Sequence, residues 1–416
     1  MEAVVNAKQE AQIPALWKNR NFLLLWIADL CSSFGLSIFM FSQSWYVVEV
    51  MGLEASLGLV FIASSIPRVV FMVIGGAIAD RFNKNLIMFI SDFTRAGVAG
   101  ALVVWLLFGD VTLWSFVLFA FVFGILDAFF WPANGGLLPS LIEKQQLTRA
   151  NSIIQMTSQS SFIVGPMLAG AIIALGNYVT TFSITAGLLV IASIAVLLIK
   201  VKKKTEENDD HSDSNLLGSI KEGIVYVRQS AFLSALVVFA VLINLFMVGP
   251  LQMGLPLFVD NVLQGDSLVY SYLEGAFAGG MLVGSIVVGI LNIQKKRGLL
   301  VIFSVLCSGF LFSLLSQTGI LWQSLVAIAL LGATFSLINI PIFAAVQSVV
   351  KDEMIGRVMS LLSMASLGLV PVSFAITSGL LSTGIDVSQV MLGGGVLIIL
   401  VAALIFWKVT GLRNYN

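Results

Sequence analysis

The stretch "GGAIADRFNKNLIMFI" (75–90) decides how this chain folds. One apolar run ends in Asp80, Arg81, Asn83 and Lys84, and a second begins at once. A soluble helix spreads its charges along one face. Here they are confined to a turn between two greasy segments, the pattern of two membrane spans joined by a short polar loop.

The whole chain repeats that pattern. It has 416 residues, 58% hydrophobic and only 11% charged. A soluble domain carries about 25% charged residues, and so little charge cannot cover a solvated surface. Apolar runs of about 20 residues match a bilayer core of about 30 Å. The alternation of a membrane barrel is absent. The sequence therefore predicts an all-α integral membrane protein with twelve transmembrane helices. The first six run at about 21–48, 55–79, 86–108, 112–136, 149–174 and 178–200, and the second six at about 231–259, 268–291, 299–317, 320–347, 357–382 and 387–409. The first 19 residues are polar, with no cleavable leader pattern, so the first apolar run is read as a retained span.

Between the sixes lies "KVKKKTEENDDHSDSN" (200–215), a charged linker that holds the single histidine, His211. "LLGSIKEGIVYVRQ" (216–229) follows as an amphipathic surface helix. The expected domains are residues 1–200, a linker at 201–230 and residues 231–416. Of the 22 Lys and Arg, all but Arg68 and Arg95 fall in the two tails and the even-numbered connections. Both termini are therefore expected in the cytoplasm, with the chain in the plasma (inner) membrane. A shift of about 208–209 residues lays Pro132 on Pro341, Arg149 on Arg357, Ser152 on Ser360 and Gly75 on Gly284. Two six-helix pseudo-repeats around a central cavity are the expected architecture.

With these features, the chain resembles the major facilitator superfamily over its whole length. Gly76-x-x-x-Asp80-Arg81-x-x-Lys84 is similar to the family signature between spans 2 and 3, and "VGPMLAG" (164–170) to the antiporter signature of its exporters. "SIPRVV" (65–70), "SDFTRA" (91–96), "LLPSLIEKQQLTRANSI" (137–153) and "GRVMSL" (356–361) look similar to its macrolide-efflux branch, which also holds enterobactin-type siderophore exporters. The resemblance implies proton-coupled export of a bulky lipophilic or amphipathic small molecule by alternating access. It also implies that Asp80 helps lock the lobes on the cytoplasmic side, beside the start of span 11. Two positions depart from the pattern: "FVFGILDAFFWP" (121–132) lacks the exporters' span-4 basic residue, and Asn83 stands where glycine is common.

The residues support a site reading of their own. Asp80, Arg81, Lys84 and Arg357 are expected at the cytoplasmic gate, joined by Asp92 and Arg95 as a self-neutralising i, i+3 pair. At about 1.5 Å per residue, Asp29 lies roughly 13 Å in from Arg20, Arg68 roughly 18 Å in from Asp80, and Asp127 roughly 16 Å from the end of span 4. These three charges share one depth, and an unpaired charge there costs about 2.5–3.5 kcal/mol or more. They are expected to face the cavity, with Arg68 as charge partner of at least one acid. The acid left over is the candidate proton site: Asp127 first, among Phe123, Phe129, Phe130 and Trp131, then Asp29. Gly165 and Pro166 are expected to bend span 5, with Gly170 giving close helix contact. Gln43, Gln155, Gln159, Asn244, Glu274 and Asn339 are the polar cavity candidates. No enzyme constellation, metal site or nucleotide loop is evident, so the expected driving force is a proton gradient with no cofactor. The expected partners are a small-molecule substrate, protons and the lipid bilayer, with no nucleic acid, and the chain is read as a monomer. Uptake on the same scaffold, and siderophore or metabolite export, remain the alternatives.

Overall fold

The computed structural model describes residues 16–109, 111–200, 216–291, 297–350 and 352–408. Most of the linker, His211 included, lies outside them. Among the described residues the chain is helical, with no strand.

The first lobe holds α1 (Arg20–Trp45, prolonged by the wide turns of Tyr46–Val50), α2 (Leu57–Arg81), α3 (Lys84–Phe108), α4 (Leu113–Leu141), α5 (Leu147–Leu175) and α6 (Tyr178–Leu197). The linker helix Leu216–Gln229 leads into the second lobe. There, α7 runs in pieces through Ala231–Ile243, Asn244–Val248, Gly249–Gln252 and Gly254–Asn261. It is followed by α8 (Ser267–Leu291), α9 (Arg297–Leu315), α10 (Leu321–Val349), α11 (Asp352–Gly368 and Val370–Ser382) and α12 (Val387–Lys408). Eleven of these spans are long and apolar enough to cross a membrane. Helix α2 is itself continuous over Leu57–Arg81, of which Leu57–Met72 is an apolar helix among the described residues, so eleven spans stand by length and composition where the sequence predicts twelve.

Local chemistry explains the boundaries. Asn19 caps α1 by accepting from the backbone N–H groups of Asn21 (3.0 Å) and Phe22 (3.2 Å). Asn177 does the same for α6 through Thr180 (2.8 Å). Pro67, Pro132, Pro139, Pro166 and Pro341 lie inside helices without ending them. Neighbouring helices in a membrane bundle allow this.

The duplication is visible in the packing. In the first lobe α2 crosses α4 at two glycines: a Cβ on Gly75 would strike the Ala128 carbonyl, and one on Gly124 the Ser64 carbonyl. In the second lobe α8 crosses α10 in the same way, Gly280 against the Ala329 carbonyl and Gly332 against that of Phe277. Small residues let the backbones approach where lipid offers no hydrophobic drive. The α3–α6 contact of one lobe is likewise matched by α9–α12 in the other.

The lobes meet through α5 with α8 and through α2 with α11, two contacts that exchange under the repeat. Ser267 Oγ donates to the Gly170 carbonyl (3.1 Å) and Ser378 Oγ to that of Ala55 (2.6 Å). Phe61 stacks on Phe374 (4.8 Å), and Tyr270 of α8 stacks on Phe41 (4.4 Å) and Trp45 (5.5 Å) of α1. Asn261 Nδ2 donates to Glu54 (3.0 Å). All these groups lie near one end of the bundle. Away from that end α5 is open: Gln159 is exposed, although it stands eleven residues, about three full turns, from Gly170 on the same helix face. The face that touches α8 at Gly170 is therefore uncovered by protein at Gln159 among the described residues.

Candidate functional site

Four charges from three helices of the first lobe form one network. Arg95 Nη2 of α3 donates to Asp127 Oδ1 of α4 in a very short contact, and Arg95 Nη1 donates to Asp92 Oδ1 (3.2 Å). Ser32 of α1 donates to the same Asp92 oxygen (2.9 Å). Arg68 Nη1 of α2 lies 3.8 Å from Asp127 Oδ2. The Arg95 guanidinium rests on the Phe130 ring (4.8 Å to its centroid), where its charge gains a cation–π contact. Arg95, Asp92 and Asp127 are buried, whereas Arg68 keeps 37% of its side chain exposed.

Asp29 stands apart from this network. Its Oδ1 accepts from Asn134 Nδ2 of α4 (3.1 Å) and its Oδ2 from Ser158 Oγ of α5 (3.3 Å). It is buried, and neither donor is charged. Next to it, Trp26 Nε1 donates to Thr157 Oγ1 (2.9 Å), pinning α1 to α5.

These positions revise the sequence reading at three points. The expectation sets Asp92 and Arg95 with Asp80 at the gate, but Arg95 pairs with Asp127. Eleven residues separate Arg95 from Lys84, about 16 Å of helix, so it reaches the depth of the other charges. Arg68 pairs with Asp127 and leaves Asp29 without a cation. Asp29 and Asp127 lie inside the packing of the first lobe rather than on a cavity wall; of the three charges expected there, only Arg68 is partly open. Asn134, Ser158 and Ser32 are absent from the sequence reading. Asn134 is seven residues, two turns, from Asp127 on one face of α4, which is the signal that points to it.

The other expected residues are scattered. The side chains of Asp80 and Arg357 lie outside the described residues. Arg81 is exposed, and Lys84 lies over Gly136 of α4. Gly165 seats against Ser37 of α1, and Gly170 against Ser267 and Ser271 of α8. Helix α5 stays continuous through Pro166, so close contact is the role the packing gives both glycines. Gln155 and Gln159 are exposed on α5. Gln43 is buried and lines a small cleft with Phe39, Met40, Phe61, Ser64, Ala120 and Phe123. Asn244 and Asn339 each donate back to their own helix, to the carbonyls of Ala240 (2.8 Å) and Phe335 (2.9 Å). Glu274 of α8 is half-buried and interacts with the Tyr270 hydroxyl one turn earlier.

Two related helical lobes, in contact through α5 with α8 and α2 with α11 and with buried charges at mid-depth, have the architecture of a class of membrane transporter. The chain belongs to the Major Facilitator Superfamily, whose model matches residues 25–370. It is 27% identical over 392 residues to macrolide efflux protein A of Streptococcus pyogenes, covering 93% of this chain and 95% of that protein. It is 24% identical over 351 residues to the multidrug efflux pump Tap of Mycobacterium bovis, covering 82% of each. Among solved structures it is similar to the nucleoside transporter NupG, with a TM-score of 0.72, 14% identity and coverage of 95% and 100% of the two chains. The inward-facing bacterial homologue of the human lysosomal transporter Spinster superposes with a TM-score of 0.72 at 13% identity, covering 96% of this chain and 98% of that one. The chain is a multi-pass membrane transporter of small molecules and not an enzyme.

Proposed function

We propose that the protein exports a bulky lipophilic or amphipathic small molecule by alternating access, coupled to proton influx, with Asp29 as the proton site. One observation carries the coupling: Asp92 and Asp127 each touch an arginine, whereas Asp29 has only neutral donors. Away from its span ends the first lobe holds Asp29, Asp92 and Asp127 against Arg68 and Arg95, so one proton on Asp29 makes that set neutral. A charge without a partner is costly in the bilayer. This reverses the order of the two acids expected from sequence. Asp127 and Asp92 hold the lobe together through Arg95.

The distribution of Lys and Arg supports cytoplasmic termini. With that orientation the described contacts between the lobes lie toward the external end, and the exposed Gln155 and Gln159 lie toward the inside, where substrate enters between the lobes. A proton taken up by Asp29 from outside, and released inward, returns the carrier, with about 2.3 kcal/mol per charge available per 100 mV. The names of the relatives support an efflux role and a macrolide-like or other lipophilic cargo. No cofactor beyond the gradient is invoked, and the protein works as a monomer.

The test is drug-dependent proton movement in everted vesicles. Wild type moves substrate in an uncoupler-sensitive manner. Asp29→Asn abolishes that sensitivity while the protein still accumulates, and Asp127→Asn lowers stability first. Normal uncoupler-sensitive transport by Asp29→Asn refutes the proton site. Substrate movement in the opposite sense supports uptake, and rescue of an iron-limited exporter deletion supports a siderophore cargo.

A further inference from the structure

The charges of the second lobe are distributed differently. Across Leu236–Asn261, Ser267–Ile290, Gly298–Leu315, Leu321–Ile342, Met364–Ser382 and Val387–Trp407, the charged residues are Asp260, one position from its span end, and Glu274. These spans contain no Lys, Arg or His.

Glu274 lies on the face of α8 that meets the first lobe. One turn before it, Tyr270 stacks on Phe41 and Trp45 of α1, Ser271 packs on Gly170, and the adjacent Gly275 packs on Met167 of α5. The spans around it bring no cation: α1 holds Asp29 between its ends, α5 has no charge beyond Arg149 in its first turn, and α10 has none. The partner the structure gives Glu274 is the neutral Tyr270 hydroxyl.

Away from the span ends, each lobe therefore holds one acid without a cation, in opposite settings. Asp29 is sealed inside a lobe, where only something as small as a proton can reach it. Glu274 is half-buried at the boundary between lobes, where a bulky molecule can meet it once they part. An intramembrane acid is a functional site by default, and its partner has to be named. A carboxylate in an apolar setting with no cation of its own suits an organic cation, whose charge neutralises it while its apolar body fills the surroundings.

We propose that Glu274 recognises a positively charged group on the transported molecule, so that the preferred cargo is a lipophilic amine or other amphipathic cation. Tyr270 positions the carboxylate. The proposal rests on the export reading for the direction of transport, but not for binding.

The test is equilibrium binding to the full-length protein in nanodiscs, without any gradient. The probes are tritiated tetraphenylphosphonium, a permanent cation, and tritiated triphenylphosphine oxide, a neutral molecule of similar shape. Wild type binds the cation saturably and at least tenfold more tightly than the neutral probe. Glu274→Gln removes that preference and leaves neutral binding unchanged. Tyr270→Phe, which keeps the charge, retains most of it. Equal affinity of wild type for both probes overturns the proposal without any variant. So does a Glu274→Gln protein that keeps its cation preference, or one that loses both probes alike. If vesicle transport then runs inward, the export reading fails while the cation site stands.

Discussion

The two lobes share a frame and differ in chemistry. In both, the second and fourth helices cross at glycines, and the third packs on the sixth. The first lobe nevertheless holds three acids and two arginines away from its span ends, all but Arg68 buried, and the second holds one acid there. Wide turns occur in both lobes, at Tyr46–Val50 of α1 and at Asn244–Val248 of α7, and α7 carries Gly249, Pro250, Gly254 and Pro256 in the short helical pieces that follow. Duplicated packing is a matter of small residues at crossings and survives divergence of everything else. Ionisable groups are retained only where a partner or a task offsets their cost.

The largest effect expected from breaking this comparison is at the shared crossings. Gly124→Leu and Gly332→Leu each drive a side chain into a backbone carbonyl with no room to yield. Overpacking costs about 1–3 kcal/mol, and more against backbone. Both variants are expected to fail to accumulate in the membrane, to a similar degree, as read by quantitative blotting. A large difference between them would show that the lobes do not share a frame.

Next comes Arg95→Met, which leaves buried Asp92 without a cation and buried Asp127 with only the looser Arg68. Breaking a buried ion pair costs about 3–5 kcal/mol. The thermal midpoint in detergent is expected to fall well below that of Arg68→Met, whose side chain is partly exposed and loosely paired. Equal losses would mean that the network is not centred on Arg95.

Smaller again is Ser378→Ala. It removes one hydrogen bond between lobes, worth about 0.5–1.5 kcal/mol, and leaves each lobe intact. Labelling of a cysteine placed at Ala55 by an impermeant maleimide is expected to rise several-fold, because the closed end opens more often. The smallest change is Asn339→Ala, which removes only an exposed bond within α10. Its midpoint is expected within about 0.5 kcal/mol of wild type.

Much of the frame is legible in the residues. The polar turn at Asp80–Lys84, the one-sided Lys and Arg and the offset of about 208–209 residues describe two matched lobes, because each reflects bilayer chemistry or duplication. The site is legible in depth but not in direction. Counting residues along a helix places Asp29, Arg68 and Asp127 at one level, and the same count applied to Arg95 adds it to them. Which face each helix turns to its neighbour depends on packing between helices. For that reason Asn134 and Ser158 cannot be matched to Asp29 from the sequence, nor Arg68 to Asp127. Glu274 is legible as a lone charge in its span; that it borders the other lobe needs the stacking of Tyr270 on Phe41.

Arg95 also constrains how the protein is made. Asp92, one turn away on α3, is the acid that accompanies it through synthesis, since Asp127 follows 32 residues later. While the ribosome is still producing α4, the third helix carries a guanidinium paired on one side only, which is costly in lipid. Release of α3 and α4 as a paired hairpin removes that cost, so the contact that holds the finished lobe also favours one order of membrane assembly.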